Sequence, residues 1–402
     1  MARNVFNIVK LNAQDQGGGA AGVCRGLMGA YQSRGHQCSL IVGTRRGTDA
    51  TVTALPDNGG PVLALRDRCT RLLGRVRGAG RLHEFLHCLG RSGWLRDRRQ
   101  GIEDWTLPAS NHVLELAAGT ADLIHAHNLH SFRGPLGHCA HSVGCERWRT
   151  GCGNCPDLDL YPPLRRDSTA ENWRRKRDVL ARCRLYVATP CRWLMNRVEQ
   201  SILGPAIIES RVIPNGVDLT LFTPGDRLKA RRHLGLAEDT YVLLFAAQGV
   251  KGKSYKDFPT LRRAAEGVAT KITGQKVLFL ALGDDAAPER AGDVEIRFIP
   301  YQNDPDVLAN YYRAADLYLH AAQAETFPTA ILEAMACGRP VVATAVGGIP
   351  EQVARETGVT VPAGSAEGMA DAAAAILGDS EASQRMGAAA ARAVRDHFDL
   401  EK

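Results

Sequence analysis

The chain has 402 residues, 45% of them hydrophobic and 23% charged, with a mean hydropathy of −0.20. That is the composition of a soluble globular protein, long enough for two domains of ~150 residues each. A net charge of +7 is only mildly basic and no recognised nucleic-acid-binding motif accompanies it, so no nucleic-acid partner is expected. No apolar run reaches the ~18 residues of a membrane span, and the first residues carry no secretory pattern, which predicts a cytoplasmic protein.

Val5 to Leu11 is a short apolar run that reads as a strand. The glycine loop NAQDQGGGAAG follows, then a helix from Ala20 to Ser33, a Gly35-His36 turn and a second strand from Cys38 to Val42. Gly17, Gly19 and Gly22 formally satisfy G-x-G-x-x-G, so a dinucleotide site has to be weighed. Such a site holds the ribose with an acid at the end of the second strand. Here that strand ends Val42-Gly43-Thr44-Arg45-Arg46, with no acid. Arginines suit an NADP phosphate, which keeps an NADP-dependent enzyme as an alternative.

Thr51 to Asn111 is the least regular stretch. Between Arg66 and Arg99 it holds ten arginines against three acids, interleaved with Leu72, Leu82, Phe85, Leu89 and Trp94. Basic amphipathic helices of this kind can lie on an anionic bilayer, at the inner face of a membrane; a solvated helical face is the plainer alternative. Asp122 to Asn128 is the next strand, with His125 and His127 on one face and His130 just beyond. No adjacent acid or cysteine completes a metal set, so His127 and His130 read as the polar lining of a cleft.

Cys139, Cys145, Cys152 and Cys155 are four thiols within seventeen residues, ending in C-x-x-C. In a reducing compartment this spacing suggests a structural zinc, with His138 and His141 as substitute ligands. A reduced, partly buried cluster and a redox role stay open. Further on, Trp173 to Cys183 reads as a helix, Leu185 to Thr189 as a strand, Pro190 to Ser201 as a helix and Arg211 to Asp218 as a strand and turn. A linker near Pro205 to Pro224 divides a first domain, 1–210, from a second, 211–402.

The second domain opens with a strand, Tyr241 to Ala247, and a loop carrying Lys251, Lys253 and Lys256. Three lysines in six residues at a strand end can neutralise a diphosphate. Strands at Lys276–Leu282 and Glu295–Ile299 follow, and Asp316 to His320 leads into ETFPTAILEAMACGRPVVATAVGGIPE, residues Glu325 to Glu351. Pro328 suits a first helical turn, Thr329 to Cys337 lacks helix breakers, Gly338 stops the helix, and Val341 to Thr344 is a buried strand. Gly347-Gly348 makes the next turn. A helix N-terminus gathers unpaired N–H groups that suit a phosphate. Glu325 before the helix and Glu333 one turn inside it can accept hydrogen bonds from sugar hydroxyls.

The segment E-T-F-P-T-A-I-L-E, with A-M-A-C-G-R-P-V-V-A-T and G-G-I-P-E, resembles the nucleotide-sugar motif of the family 4 (group 1) glycosyltransferases. The resemblance implies an α/β architecture of GT-B type, with two doubly wound Rossmann-like domains facing a cleft. It implies a retaining transfer of a sugar from a nucleotide-diphosphate donor, without a catalytic metal, and Lys256 and Glu325 as the catalytic pair. Lys251 or Lys253 would stand in for an arginine that the family carries near Gln248. Glu333 would bind the ribose, Tyr301 would open the base-binding loop, and Phe327, Pro328, Thr329, Gly347 and Gly348 would contribute backbone to the donor. Gly18 and Gly19 would face the donor from the first domain, and His127 and His130 would lie on the acceptor side.

The cysteine block, an insert at 138–156, resembles a bacterial subgroup that builds exported polysaccharides, which implies a carbohydrate or lipid-linked glycan acceptor. Against that subgroup the chain is short. About ten residues join Asn128 to Cys139, where the resemblance implies a helix, a strand and a Leu-His-Asp-like triplet. No match for that histidine exists, and the family's closing helix is short as well. A catalytically defective homologue that binds a nucleotide sugar or a partner without transfer is therefore the alternative reading.

Overall fold

The computed structural model describes residues 5–17, 19–55, 100–101, 113, 115–117, 121–128, 144–158, 166–251, 254–272 and 274–401. Two compact units emerge, Met1–Arg184 with Gln200–Ala206, and Leu185–Glu199 with Ile207–Lys402. Gly18, His130, Cys139, Lys253, the basic segment 66–99 and most of 128–139 lie outside the described residues.

In the first unit β1 (Asn7–Gln14), α1 (Gly19–Ser33), β2 (Gln37–Thr44), β3 (Val52–Ala54) and β4 (Leu123–Asn128) form a parallel sheet of order β3-β2-β1-β4. The period-2 alternation of strands divides the apolar residues between two faces. Ile8, Leu40 and Val42 pack with Cys24 and Met28 of α1, while Val9, Leu11 and Ile41 pack with Val113 and Ala117. Beyond the sheet comes α2 (Thr169–Leu180).

The second unit carries β5 (Leu185–Thr189), α3 (Arg192–Glu199) and β6 (Ile207–Val212), whose strands make a separate parallel pair. This β-α-β piece groups here because Cys191 is buried in the core that holds Phe327 and Ile349. Glu351 also accepts the amides of Arg192 and Trp193, at 2.7 and 2.8 Å. The boundary thus differs from a single break near residue 210, since residues 185–199 and 207–210 belong to the second unit.

Then follow α4 (Arg227–His233), β7 (Thr240–Ala246), α5 (Phe258–Lys271), β8 (Lys276–Leu282), β9 (Glu289–Ala291), β10 (Val294–Ile299), α6 (Pro305–Ala314), β11 (Leu317–His320), α7 (Thr329–Ala336), β12 (Val341–Thr344), α8 (Ile349–Gln352), β13 (Gly358–Val361), α9 (Ala366–Gly378) and α10 (Ser380–His397). The sheet runs β13-β12-β11-β7-β8-β10-β9, parallel except for β9 against β10. Its inner strands β7, β8, β11 and β12 are apolar on both faces, as a parallel sheet covered by helices requires. Leu244 and Tyr318 face α7 and α10, whereas Leu243, Leu317 and Leu319 face α5 and α9.

Several expected boundaries recur unchanged, among them β5, β8 and β12. The α7 terminus is as expected too: Gly338 takes φ 74°, with Gly338 N–H on Met335 O and Arg339 N–H on Ala334 O, a Schellman closure. The strand expected at Arg211 begins earlier, at Ile207, because this pair is half exposed and its polar residues hide the period. No helix among the described residues is long and apolar enough to cross a membrane.

A buried ion cluster anchors the sheet. Asp316 accepts Arg231 Nη2 at 2.5 Å and the Val242 amide at 2.7 Å, and is also paired with Arg227. Arg231 itself is only 1% exposed. Removing one member of a buried pair strands the other charge. Asp316→Ala is therefore expected to destabilise the second unit by about 3–5 kcal/mol in urea unfolding, and adding Arg231→Met should recover part of that loss. Equal midpoints for Asp316→Ala and the parent chain would refute the assignment.

Candidate functional site

The chain leaves β7 outward through β8 and β10, and leaves β11 in the opposite direction through β12 and β13. The order therefore reverses between β7 and β11, which pair directly through Leu317–Leu243 and Tyr318–Leu244. Ligands of doubly wound sheets bind beyond the carboxyl ends of strands at such a switch point. The loop after β7 carries Lys256, and the loop after β11 carries Glu325.

Those two side chains meet. Lys256 Nζ donates to Glu325 Oε2 at 2.5 Å, with both side chains less than one-fifth exposed. Asp257 explains the approach. It caps α5 by accepting the Thr260 amide, adopts φ 42°, and accepts Gln323 Nε2 at 2.6 Å, while Gln323 N–H donates to Tyr255 O at 2.8 Å. An aspartate tolerates this left-handed backbone better than most residues. Thr344 fastens the other side, its hydroxyl bonding both the amide and the carbonyl of Ala322. Burial alone would raise the Glu325 carboxyl, but the neighbouring His320 and the Lys256 ammonium outweigh it and hold it down at about 2. His320 Nε2 lies 3.9 Å from the same carboxylate oxygen.

Beside the pair stands the N-terminus of α7. The amides of Thr329 and Ala330 have no hydrogen-bond partner among the described residues, so they remain available to an anion. Pro328 has no N–H; its carbonyl accepts Gln352 Nε2 at 3.1 Å. The Phe327 side chain is core, and its carbonyl accepts Asn215 Nδ2 at 3.3 Å.

The glycines need a correction. The Gly348 amide is already used by Thr326 O at 2.8 Å, so it cannot hold a donor oxygen. Gly347 takes φ 58°, and a Cβ there would sit 1.7 Å from Glu325 O. These glycines let the turn press against the Glu325-Thr326 backbone; they shape the acid's loop.

Glu333 is half-buried, one turn inside α7, and accepts the Tyr312 hydroxyl at 2.7 Å. Burial raises its carboxyl above the ordinary value, against the hydrogen bonds from Tyr312 and Thr329. Lys251 is not held by Glu325. Its ammonium lies 3.1 Å from Glu289 Oε2 and over the Phe298 ring, and its amide donates to Asp284. Tyr301 is an exposed residue in the loop after β10.

In the first unit, Gly19 opens α1. A Cβ on Gly22 would meet nothing within 4 Å, so the third glycine of the formal dinucleotide pattern does not serve the close helix packing for which that pattern requires it. His127 lies near the carboxyl end of β4, its ring 4.1 Å from that of His125. Burial, then His125 and Lys10, push His127 down to about 3; burial and Lys10 push His125 to about 4. Cys145, Cys152 and Cys155 form no disulfide among the described residues. Burial, then the other two thiols, raise Cys152, and the C-x-x-C turn is tied down by Asp167, which accepts the Cys155 amide at 2.7 Å. Among the described residues no group of three or more His, Cys, Asp or Glu is arranged to hold a metal, and the expected fourth thiol lies outside them.

The residues that sequence reasoning missed are Asp257, Gln323, Tyr312, Thr344 and His320. One signal was available: His320 is a polar residue closing an otherwise apolar strand.

The family model for glycosyl transferases group 1 matches residues 226–393. A D-inositol 3-phosphate glycosyltransferase from Nocardia farcinica is 30% identical over 318 residues, covering 72% of this chain and 67% of the relative. A namesake from Mycobacteroides abscessus is 37% identical over 206 residues, 48% of this chain and 43% of the relative. The matches therefore span from under half to two thirds of these relatives' lengths. Among solved structures, sucrose-phosphate synthase from Thermosynechococcus elongatus superposes with TM-score 0.61 at 20% identity, over 98% of this chain and 96% of that one. HepE of Anabaena, solved with UDP-glucose, gives TM-score 0.62 at 17% identity, again over 98% and 96%. At such identities the likeness shows the fold, GT-B.

The two glutamates should respond oppositely to pH. Glu325 is depressed, so its contribution is full above the ordinary carboxylate range and is lost as pH falls from about 4.5 towards 2. Glu333 is raised, so its ionisation costs stability as pH climbs above the ordinary range. At pH 7, Glu325→Gln is expected to lower the melting temperature and Glu333→Gln to leave it unchanged or raise it. Near pH 4 the Glu333→Gln difference should disappear. A Glu333→Gln chain that melts as low as Glu325→Gln at pH 7 would contradict the assignment.

Proposed function

The chain belongs to the glycosyltransferases of group 1, and from that premise we propose that it transfers a sugar from a nucleoside-diphosphate donor to a hydroxyl acceptor, with retention at the anomeric carbon. The observation that carries this reading is the Lys256–Glu325 pair at the switch point, beside the free amides that open α7. Lysine and helix N-terminus supply positive charge where the leaving diphosphate gains negative charge. Glu325 accepts from the sugar hydroxyls, and the half-buried Glu333 from the ribose. The departing phosphate oxygen takes up the acceptor proton, so this scheme assigns no step to a metal. The acceptor is proposed to be a carbohydrate or lipid-linked glycan of exported polysaccharide synthesis; the names of the curated relatives add an inositol phosphate to the acceptors worth testing.

A second reading has its own observation. In the first unit the described sheet stops at β4, where Leu123 and Ile124 are 47% and 43% exposed. A chain with a complete donor site and a curtailed first sheet would bind nucleotide sugars without turning them over.

Both readings meet one experiment. A panel of UDP-, GDP- and ADP-sugars should raise the melting temperature for at least one donor, and donor hydrolysis or transfer should follow. Lys256→Ala is expected to cut turnover by about 10²–10³-fold. Stabilisation with no turnover at high enzyme would favour the binding reading; stabilisation by no donor would remove both. For the basic segment 66–99 we propose contact with anionic lipid. The chain should then co-sediment with phosphatidylserine vesicles but not with neutral ones, and the binding should weaken in salt.

A further inference from the structure

Three groups stand in a row at the switch point. Lys256 Nζ is 2.5 Å from Glu325 Oε2, and the same oxygen is 3.9 Å from His320 Nε2. The histidine is 1% exposed, and its Nε2 is buried without a hydrogen-bond partner. The rest of the ring is well held. Nδ1 lies 3.4 Å from Tyr318 Oη, and the Phe245 ring meets it edge-on at 5.6 Å between centroids. A buried, unpartnered ring nitrogen is costly, and this one points at a carboxylate without reaching it.

The free site has a conflict in its charges. The ammonium needed at the diphosphate is committed to Glu325, and a donor that draws it away strands a carboxylate that is 18% exposed. We propose that His320 is a positioning residue that resolves this conflict: when a nucleoside diphosphate takes Lys256, the Glu325 carboxylate turns by about 1 Å to accept Nε2–H of His320. The inference rests on reading the site as a donor site. A neutral imidazole carries one proton. Tyr318 Oη lies 3.3 Å from Ala246 O as well as 3.4 Å from Nδ1, so its one proton has two acceptors; it is the carboxylate 3.9 Å from Nε2 that favours the imidazole proton on that nitrogen. Burial lowers the His320 pKa, which keeps the ring neutral. Glu325 thus stays ionised and aimed at the sugar while the lysine moves, and His320 need not touch the substrate.

The experiment compares His320→Gln, which keeps an N–H donor near Nε2, with His320→Leu, which does not. In calorimetric titration with UDP, or with GDP if that is the nucleotide bound, His320→Leu should weaken binding by about 10–100-fold, the worth of a hydrogen bond to a charged group. His320→Gln should stay within about threefold of the parent. Nitrogen-15 spectra of the parent chain need no variant: the His320 Nε2 should be protonated in the free protein, and its proton should move downfield on nucleotide addition. Equal affinities for the Gln and Leu variants, whether parental or equally weak, would overturn the proposal, as would an unprotonated Nε2. A parent chain that binds neither UDP nor GDP would instead remove the donor-site reading itself.

Discussion

The pairing of β7 with β11 is the constraint on which the site depends. Both are largely buried, parallel strands, and each sends its following loop out over the same end of the sheet. Because crossovers in such sheets are right-handed, the two halves must wind away from each other, leaving the place between their loops uncovered by either half's own helices. Two loops more than sixty residues apart in sequence are thereby delivered to one point, and the Lys256–Glu325 contact follows. The buried Asp316–Arg231 pair guards the same geometry from below. Asp316 sits at the entrance to β11 and bonds the amide of Val242 in β7, so it pins the two strands at the end opposite the site.

Around that point the chain spends its conformational irregularities on placing the acid and the base. Asp257 accepts a left-handed backbone, and Gly347 allows its turn to close on the carbonyl of Glu325. Gln323 and Thr344 satisfy backbone and side-chain groups that an extended loop would leave unpaired in a buried setting. The charges are then set against each other: a lysine that would attract phosphate is neutralised by the glutamate that would read the sugar.

Much of this was legible in the sequence because it is local. The Pro328 start, the Gly338 stop and the four-residue strand Val341–Thr344 each follow from residue chemistry within a few positions. Glu325, Glu333 and Lys256 were legible because their spacing and neighbours resemble a family pattern. What the sequence did not disclose depends on contacts across long separations. The partners of Glu333 and Asp257, namely Tyr312 and Gln323, are 21 and 66 residues away. The Gly347-Gly348 pair was read as donor-binding backbone because glycine suits both uses. Only the proximity of the Glu325 and Thr326 carbonyls shows that one of the two amides is already committed. Short, half-exposed strands such as Glu289–Ala291 carry too little apolar period to announce themselves.

The proposed donor site and any acceptor site place separate demands on the two units. The described contacts that shape the Lys256–Glu325 site lie within the second unit: Asp257, Gln323, Thr344, Gly347 and Tyr312 all belong to it. Its sheet is complete, with a helix-covered core on each face. That site is therefore built without reference to the first unit, whose described residues form a four-stranded sheet with Leu123 and Ile124 exposed on its outer strand. A transfer reaction needs an acceptor held in line as well as a donor bound. The physical case for binding accordingly rests on a finished set of contacts, and the case for turnover rests on what the neighbourhood of β4 presents.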